Sequence, residues 1–238
     1  MLDAGCGTGS LAATLAKVSG ASKIVGIDPS KGFIEYARMQ VADPRVIFEL
    51  GDAQDLRYPD HTFDVCVALL AVDHIPDAPK ATKEMRRITK TLGIVATAMW
   101  DRSHDNELYG CFWEAAEAID PTAKRPFGRH GSYGSPEGLS QLWKGAGLTK
   151  LELTDLSMAC QFSSFDELWQ RCLDADSPPG VYMKSLSADG HEALKKKLRQ
   201  NVLGNGPTGH FRSRRKRGRC VKLPPLKKQQ RIDKYLAS

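Results

Sequence analysis

The sequence predicts an α/β chain built on a doubly wound, mostly parallel sheet with helices on both faces, followed by helical C-terminal additions. Three observations predict it. Short apolar runs alternate with segments whose apolar residues recur at helical spacing. A Gly-rich turn over residues 5–9 joins the first run to the first helical segment. Phe63 to Leu70 is a nearly continuous apolar run, as expected of a strand buried on both faces.

Each element has its own signal. Residues 1–4 form a short apolar run that stops at the glycines. Leu11, Leu15 and Val18 follow at helical spacing, with Ser10 as the expected N-cap. Lys23 to Ile27 reads as a strand ending at Asp28, and Ile34, Ala37 and Val41 mark a second helix. Val46, Phe48 and Leu50 alternate until Gly51-Asp52 breaks the strand. After Phe63–Leu70, a third helix carries Ala78, Ala81, Met85 and Ile88. Ile94 to Met99 is a fifth strand. Parallel strands joined by helices imply right-handed crossovers. Beyond them, 104–119 reads as an amphipathic helix and 123–135 as a polar, Gly-rich loop. A helix over 139–146 stops at Gly147, and 148–156 alternates as a strand. Residues 165–203 hold two or three helical stretches broken at Ser177-Pro178-Pro179-Gly180.

The chain has 238 residues, 41% hydrophobic and 26% charged, which is enough to bury a core without metal or disulfide staples. No run approaches the ~18 apolar residues of a membrane span. The six cysteines form no CxxC pair, so neither a zinc ribbon nor a disulfide framework is expected, and no metal site is assigned. A reduced, cytoplasmic protein is the default. The net charge of +6 is unevenly placed. From Pro207 on, eleven basic residues face one acid, giving +10, and the first 206 residues stand at −4. The basicity therefore belongs to the tail and says nothing of a nucleic-acid surface on the domain. The expected organisation is a ligand-binding domain over 1–160, a helical substrate-side extension of it over 161–206, and a basic, disordered tail over 207–238.

The strongest functional signal is Leu2-Asp3-Ala4-Gly5-Cys6-Gly7-Thr8-Gly9. It reads as strand, tight turn and helix. Glycines permit positive φ and let a ligand approach the backbone, and the helix end beyond offers free N–H groups. Dinucleotide enzymes use G-x-G-x-x-G at such a turn. Here the spacing is G-x-G-x-G, with Ser10 where the last dinucleotide glycine belongs. Asp3 would repel a pyrophosphate; it suits a cationic group such as an amine.

These residues resemble class I S-adenosylmethionine-dependent methyltransferases, a Rossmann-like family, and in particular the small-molecule branch related to ubiquinone and menaquinone methyltransferases. The resemblance covers roughly residues 1–206. Asp3, Gly5, Gly7 and Gly9 match the family's D-x-G-x-G-x-G position by position. It implies S-adenosyl-L-methionine as cofactor, with Asp3 reaching the methionine amino group and the backbone of Gly5, Cys6, Gly7 and Gly9 lining the methionine and ribose. Asp28, followed by Pro29 and Ser30, is expected to take the ribose hydroxyls. Asp52 is expected at the adenine amino group, and the Ala53 amide at a ring nitrogen. Leu69 and Leu70 are expected under the methionine arm. Asp64, which opens the fourth strand with Phe63 and Val65, is assigned no catalytic role.

Methyl transfer from a sulfonium is an in-line displacement, in which positioning supplies roughly 7–11 kcal/mol. A base is needed only for a protonated nucleophile. Asp73 and His74, just after the fourth strand, are the candidates. The small-molecule methyl acceptor is expected to enter over segments 100–135 and 160–182. Phe112 and Trp113 read as core or pocket wall.

The chain departs from the family pattern at both ends. It begins inside the first strand, where family members carry preceding helices, so an N-terminally truncated form is expected. Near the C-terminus the family places a strand between the fifth and sixth. The run from Gly209 to Arg217 carries too many like charges to be expected inside a sheet. A frameshift near 207 or a natural basic arm would account for it. The competing function is a catalytically impaired binding protein of the same fold, whose tail contacts nucleic acid or another polyanion with salt-sensitive, non-specific affinity.

Overall fold

The computed structural model describes residues 1–100, 107–123, 133–158, 161–174, 177–203, 211–212 and 216–222. It separates into two compact units. Of the described residues, the first comprises 1–100, 133–155 and 219–222, and the second 107–123, 156–158, 161–174, 177–203, 211–212 and 216–218.

In the first unit the order is β1 (Leu2–Ala4), α1 (Ser10–Val18), β2 (Ile24–Asp28), α2 (Lys31–Gln40), β3 (Val46–Leu50), β4 (Phe63–Leu69), α3 (Ala78–Ile88) and β5 (Thr89–Trp100). A 3-10 turn, Val72–His74, lies between β4 and α3. Strand pairing is parallel for β1 with β2, β1 with β4, β2 with β3 and β4 with β5. The chain thus winds outward from β1 to β3, returns to the other side of β1, and winds outward again. In open parallel sheets, ligands bind beyond the carboxyl ends of the strands at such a reversal.

The apolar pattern explains the layering. Leu2 and Ala4 of β1 join a cluster with Ala81, Met85 and Ile88 of α3 and Leu139, Leu142 and Trp143 of α5 (Pro136–Gly145). A second cluster holds Ala12 and Ala16 of α1, Ile34 and Ala37 of α2, and Ile24 and Phe48 from the sheet. The expectation of helices on both faces therefore holds for β1 and β2; of β3 only Phe48 is buried, and Ile47 and Leu50 are exposed. β4 differs: Phe63, Cys66 and Ala68 are buried, whereas Val65 and Val67 are only half-buried. The apolar run reads as two-sided burial, but one side of this strand is incompletely covered.

Other boundaries shift for local reasons. α1 is capped by Gly9 rather than Ser10, because Gly9 holds the left-handed conformation that starts the helix. α3 ends in a bulge. Phe63 pairs with Thr89 and Val65 with Ile94, so residues 90–93 stand out of register, and Leu92 adopts φ 70°. A Cβ on Gly93 would lie 2.7 Å from the Asp64 carbonyl oxygen, so a glycine is required there. Asp64 itself is exposed and paired with Lys90 at 2.8 Å, an ion-pair role and not a chemical one.

The second unit contains α4 (Glu107–Ile119), β7 (Gln161–Phe162), α6 (Phe165–Cys172), α7 (Pro178–Met183), α8 (Ala188–Leu203) and β8 (Phe211–Arg212). β6 (Glu152–Met158) precedes β7, and β9 (Lys216–Lys222) follows β8. The core of this unit is Phe112, Trp113, Leu168, Trp169, Leu194 and Leu198. Phe112 and Trp113 meet edge to face at 5.2 Å, so both are packing residues. The helical part is accordingly not confined to 161–206: α4, placed by the sequence pattern in the 1–160 body, packs with α8.

One expectation is corrected outright. The sheet order is β3-β2-β1-β4-β5-β9-β6, so Lys216–Lys222 does form a strand between β5 and β6. Residues 211–212 form a second strand, antiparallel to β7. A strand pairs through its backbone, and a count of charges along the run does not report that capacity. The rest of the basic tail, and most of the 123–135 loop, lie outside the described residues.

Candidate cofactor site

The predicted residues come together at the carboxyl edge of β1 to β4. Between β1 and α1, Gly5, Gly7 and Gly9 all have positive φ, at 73°, 52° and 85°. Their surroundings differ. A Cβ on Gly5 would stand 2.6 Å from the Ala71 Cβ, and one on Gly9 would stand 2.7 Å from the Phe48 ring. A Cβ on Gly7 would meet nothing within 4 Å. Gly5 and Gly9 are therefore packed against protein, and Gly7 faces open space. The Gly5 and Cys6 amides both donate to the Ile27 carbonyl, at 2.9 and 2.8 Å. The Cys6 side chain is buried in the Phe48 cluster, and burial pushes its thiol up to about 12. Cys6 thus presents only backbone to a ligand.

Asp28 ends β2 and ties the loop to α2. Its Oδ2 accepts the Gly7 amide at 3.0 Å, and its Oδ1 accepts the Ser30 amide at 2.9 Å. Each carboxylate oxygen keeps further acceptor capacity. Ser30 caps α2 by accepting the Phe33 amide on Oγ, and Pro29 is exposed between them.

Asp3 is the anomaly of the site. Its side chain is fully buried, and neither oxygen has a hydrogen-bond partner. Burial raises its carboxyl to about 7; the nearby Ala12 amide partly opposes this without closing a hydrogen bond, and the Asp28 charge adds to it. A buried, unpartnered carboxyl is costly for a fold and calls for an explanation.

On the far side of Asp28, the segment after β3 encloses a cavity of about 410 Å³. Asp52, Pro29, Leu50 and Tyr58 are among its lining residues. Asp52 is exposed, and its carboxylate is held by the Gln54 amide at 2.8 Å and the Gln54 side chain at 3.0 Å. Ala53 is buried beside it. Tyr58 was not evident as a wall residue from the sequence. Its hydroxyl donates to Glu49 Oε2 at 2.7 Å, and its ring meets Phe63 edge to face at 5.0 Å. The only available signal was its position in the same short segment as Asp52.

At the end of β4, Leu69 and Leu70 are exposed at 40% and 36%. Leu70 adopts φ 54°, a conformation that costs a non-glycine residue about 1–3 kcal/mol and is found preferentially at functional sites. Its amide is anchored on the Ala98 carbonyl at 2.8 Å. The following turn leaves Asp73 half-buried and His74 exposed, with the His74 amide on the Ala71 carbonyl at 2.9 Å.

The donor set fits an S-adenosylmethionine-type cofactor. A cationic amine would complete Asp3, the ribose hydroxyls would meet Asp28, and Gly7 leaves room for backbone approach. Among the described residues there is no cluster that could hold a metal ion, and no helix long and apolar enough to cross a membrane.

Comparison with known proteins agrees. Residues 2–97 match the methyltransferase domain family. The chain is 30% identical over 176 residues to a 2-methyl-6-phytyl-1,4-hydroquinone methyltransferase of Synechocystis, covering 71% of this chain and 53% of the relative. It is 28% identical over 178 residues to a ubiquinone biosynthesis O-methyltransferase of Mesorhizobium japonicum, covering 74% and 68%. The chain spans about half the length of the first of these. A putative methyltransferase of Bacillus halodurans has the same fold, with a TM-score of 0.60 at 18% identity, covering 94% of this chain and 90% of that one. The G-x-G-x-G loop, the acid at the end of β2 and these likenesses lead to one conclusion: residues 2–97 carry a methyltransferase domain of the class I S-adenosylmethionine-dependent type.

Proposed function

We propose that this chain transfers a methyl group from S-adenosylmethionine to a small-molecule acceptor, by in-line displacement with positioning as the main catalytic device. The observation that carries the reading is Asp3, a buried carboxyl with no partner at the point where the strand order reverses. When bound, the cofactor supplies an electrophilic methyl group on a sulfonium. The protein's part is to hold and orient. Asp3 takes the amino group, Asp28 the ribose, and the Asp52 segment encloses the purine. Leu69 and Leu70 carry apolar surface under the methionine arm and exclude water there. Where the acceptor carries a proton on its nucleophile, Asp73 and His74 stand at the edge of β4, where a base is required. The names of the Synechocystis and Mesorhizobium relatives favour a small quinol-like acceptor. The thiols of Cys6, Cys66 and Cys172 are not in disulfides, which accords with a reducing, cytoplasmic setting.

Calorimetric titration with S-adenosylhomocysteine tests this. The wild-type chain should bind it, and NADH should not compete. Asp28→Ala should lose about 100-fold in affinity, because two charge-assisted hydrogen bonds to the ribose go with the carboxylate. Absence of binding by the folded wild-type chain would overturn the proposal.

A further inference from the structure

Resting on that reading, we infer that Glu84 and Arg87, side by side on α3, are positioning residues that hold the purine-side wall of the cofactor pocket and so set cofactor affinity. Neither touches the cavity. Both act through the backbone of the segment that lines it.

The geometry is specific. Glu84 Oε2 accepts the Leu56 amide at 3.0 Å, and Arg87 Nη2 donates to the Leu56 carbonyl at 2.7 Å. Both peptide polar groups of one cavity-lining residue are thus fastened to α3. Arg87 Nη1 donates to the Tyr58 carbonyl and to Asp60 Oδ1, each at 2.8 Å. The two helix residues also brace each other, Arg87 Nε on Glu84 Oε1 at 2.8 Å and Nη2 on Oε2 at 2.7 Å. The guanidinium therefore spends its fork on two carbonyls and two carboxylates, which a lysine cannot reproduce. The Arg87 guanidinium beside it holds the Glu84 carboxyl below the usual range, so the brace stays charged at neutral pH.

The segment needs such a brace because it has little structure of its own. Among the described residues, its internal backbone bonds are Asp55 to Asp52 at 3.0 Å and Tyr58 to Leu56 at 2.8 Å. A second tie lies at the start of α3, where the Asp77 amide donates to Gln54 Oε1 at 2.9 Å. That same Gln54 side chain holds Asp52. The helix α3 fastens the wall at both ends.

The test uses Arg87→Ala, Arg87→Lys and Glu84→Gln in the full chain. Titration with S-adenosylhomocysteine is compared with S-ribosylhomocysteine, which lacks the purine. Amide exchange over residues 52–61 is followed in parallel. Arg87→Ala should speed exchange at Leu56 and weaken S-adenosylhomocysteine by about ten-fold, since small misplacement of a binding wall carries a penalty of this order. S-ribosylhomocysteine should change less than two-fold. Arg87→Lys and Glu84→Gln should fall between, and they carry the test where Arg87→Ala does not fold. Equal affinity of variants and wild type for S-adenosylhomocysteine, with the wild type binding normally, would overturn this inference alone. Equal losses for both ligands would also overturn it, by showing a general structural defect. A wild type that binds neither ligand would overturn the proposed function and this inference with it.

Discussion

Gly9→Ala is expected to destabilise the chain by about 3 kcal/mol and Gly7→Ala by about 1 kcal/mol, although both glycines sit at positive φ in one loop. The strain of a left-handed L residue, about 1–2 kcal/mol, is common to both. Packing separates them. At Gly9 the new methyl would lie 2.7 Å from the tip of the Phe48 ring and 3.1 Å from Ala37 Cβ. Phe48 is 3% exposed and wedged between α1 and α2, so the ring has nowhere to retreat. Overpacking of that kind adds about 1–3 kcal/mol. At Gly7 the methyl enters open space. Ligand binding should rank the two differently, because the space beside Gly7 is the space a ligand needs. Gly7→Ala should therefore lose S-adenosylhomocysteine affinity by about ten-fold or more while its unfolding midpoint moves by only a few degrees. Gly9→Ala should show a melting loss of roughly 6–12 °C. Paired urea unfolding and calorimetry check both. Equal stability costs, or a Gly7→Ala chain that binds normally, would mean that the loop does not divide its glycines in this way.

The contrast shows which parts of the site were legible in the sequence. The G-x-G-x-G spacing reports a strand-to-helix turn because positive φ is a local property. Asp28 was legible for the same reason: a carboxylate directly after an apolar run must sit at a strand end. Which glycine packs and which one faces a ligand was not legible, since the answer lies in Phe48 and Ala71, some 39 and 66 residues further along the chain. The Glu84 and Arg87 brace was invisible for the same physical reason. Its bonds to Leu56 span 28 and 31 residues, and on α3 itself the pair reads as an ordinary i,i+3 surface ion pair. The strand at 216–222 was misjudged because the charge of the run was weighed and the pairing capacity of its backbone was not. The half-open side of β4 was misjudged because an apolar run reports what a strand can bury, not what covers it.

Asp3 should make the ligand-free chain less stable as pH rises, and its replacement by asparagine should abolish that trend. In the folded chain burial holds its carboxyl near 7, against 3.8 for an ordinary aspartate. Between those values the folded chain keeps the proton and the unfolded chain has released it. The folded state then binds more protons, so stability falls through this window, by up to about 4 kcal/mol once both limits are passed. Asp3→Asn keeps the shape and leaves only a neutral buried amide, whose unmet hydrogen bonds cost about 1–3 kcal/mol. Its ligand-free form should therefore be as stable as the wild type near pH 5 and more stable near pH 8, with unfolding free energies read from urea titrations at both. Binding should respond in the opposite sense. The ammonium group of S-adenosylhomocysteine needs the ionised carboxylate, so wild-type affinity should climb as pH rises toward about 7 and level off above it. Asp3→Asn should bind about 100-fold more weakly near pH 8 and show no such climb, because a charge-assisted contact has become a neutral one. Parallel pH profiles for the two proteins would remove Asp3 from the binding site. The predicted divergence would establish that this carboxyl is kept at a cost to the empty fold, and that the cost is recovered when a cation reaches it.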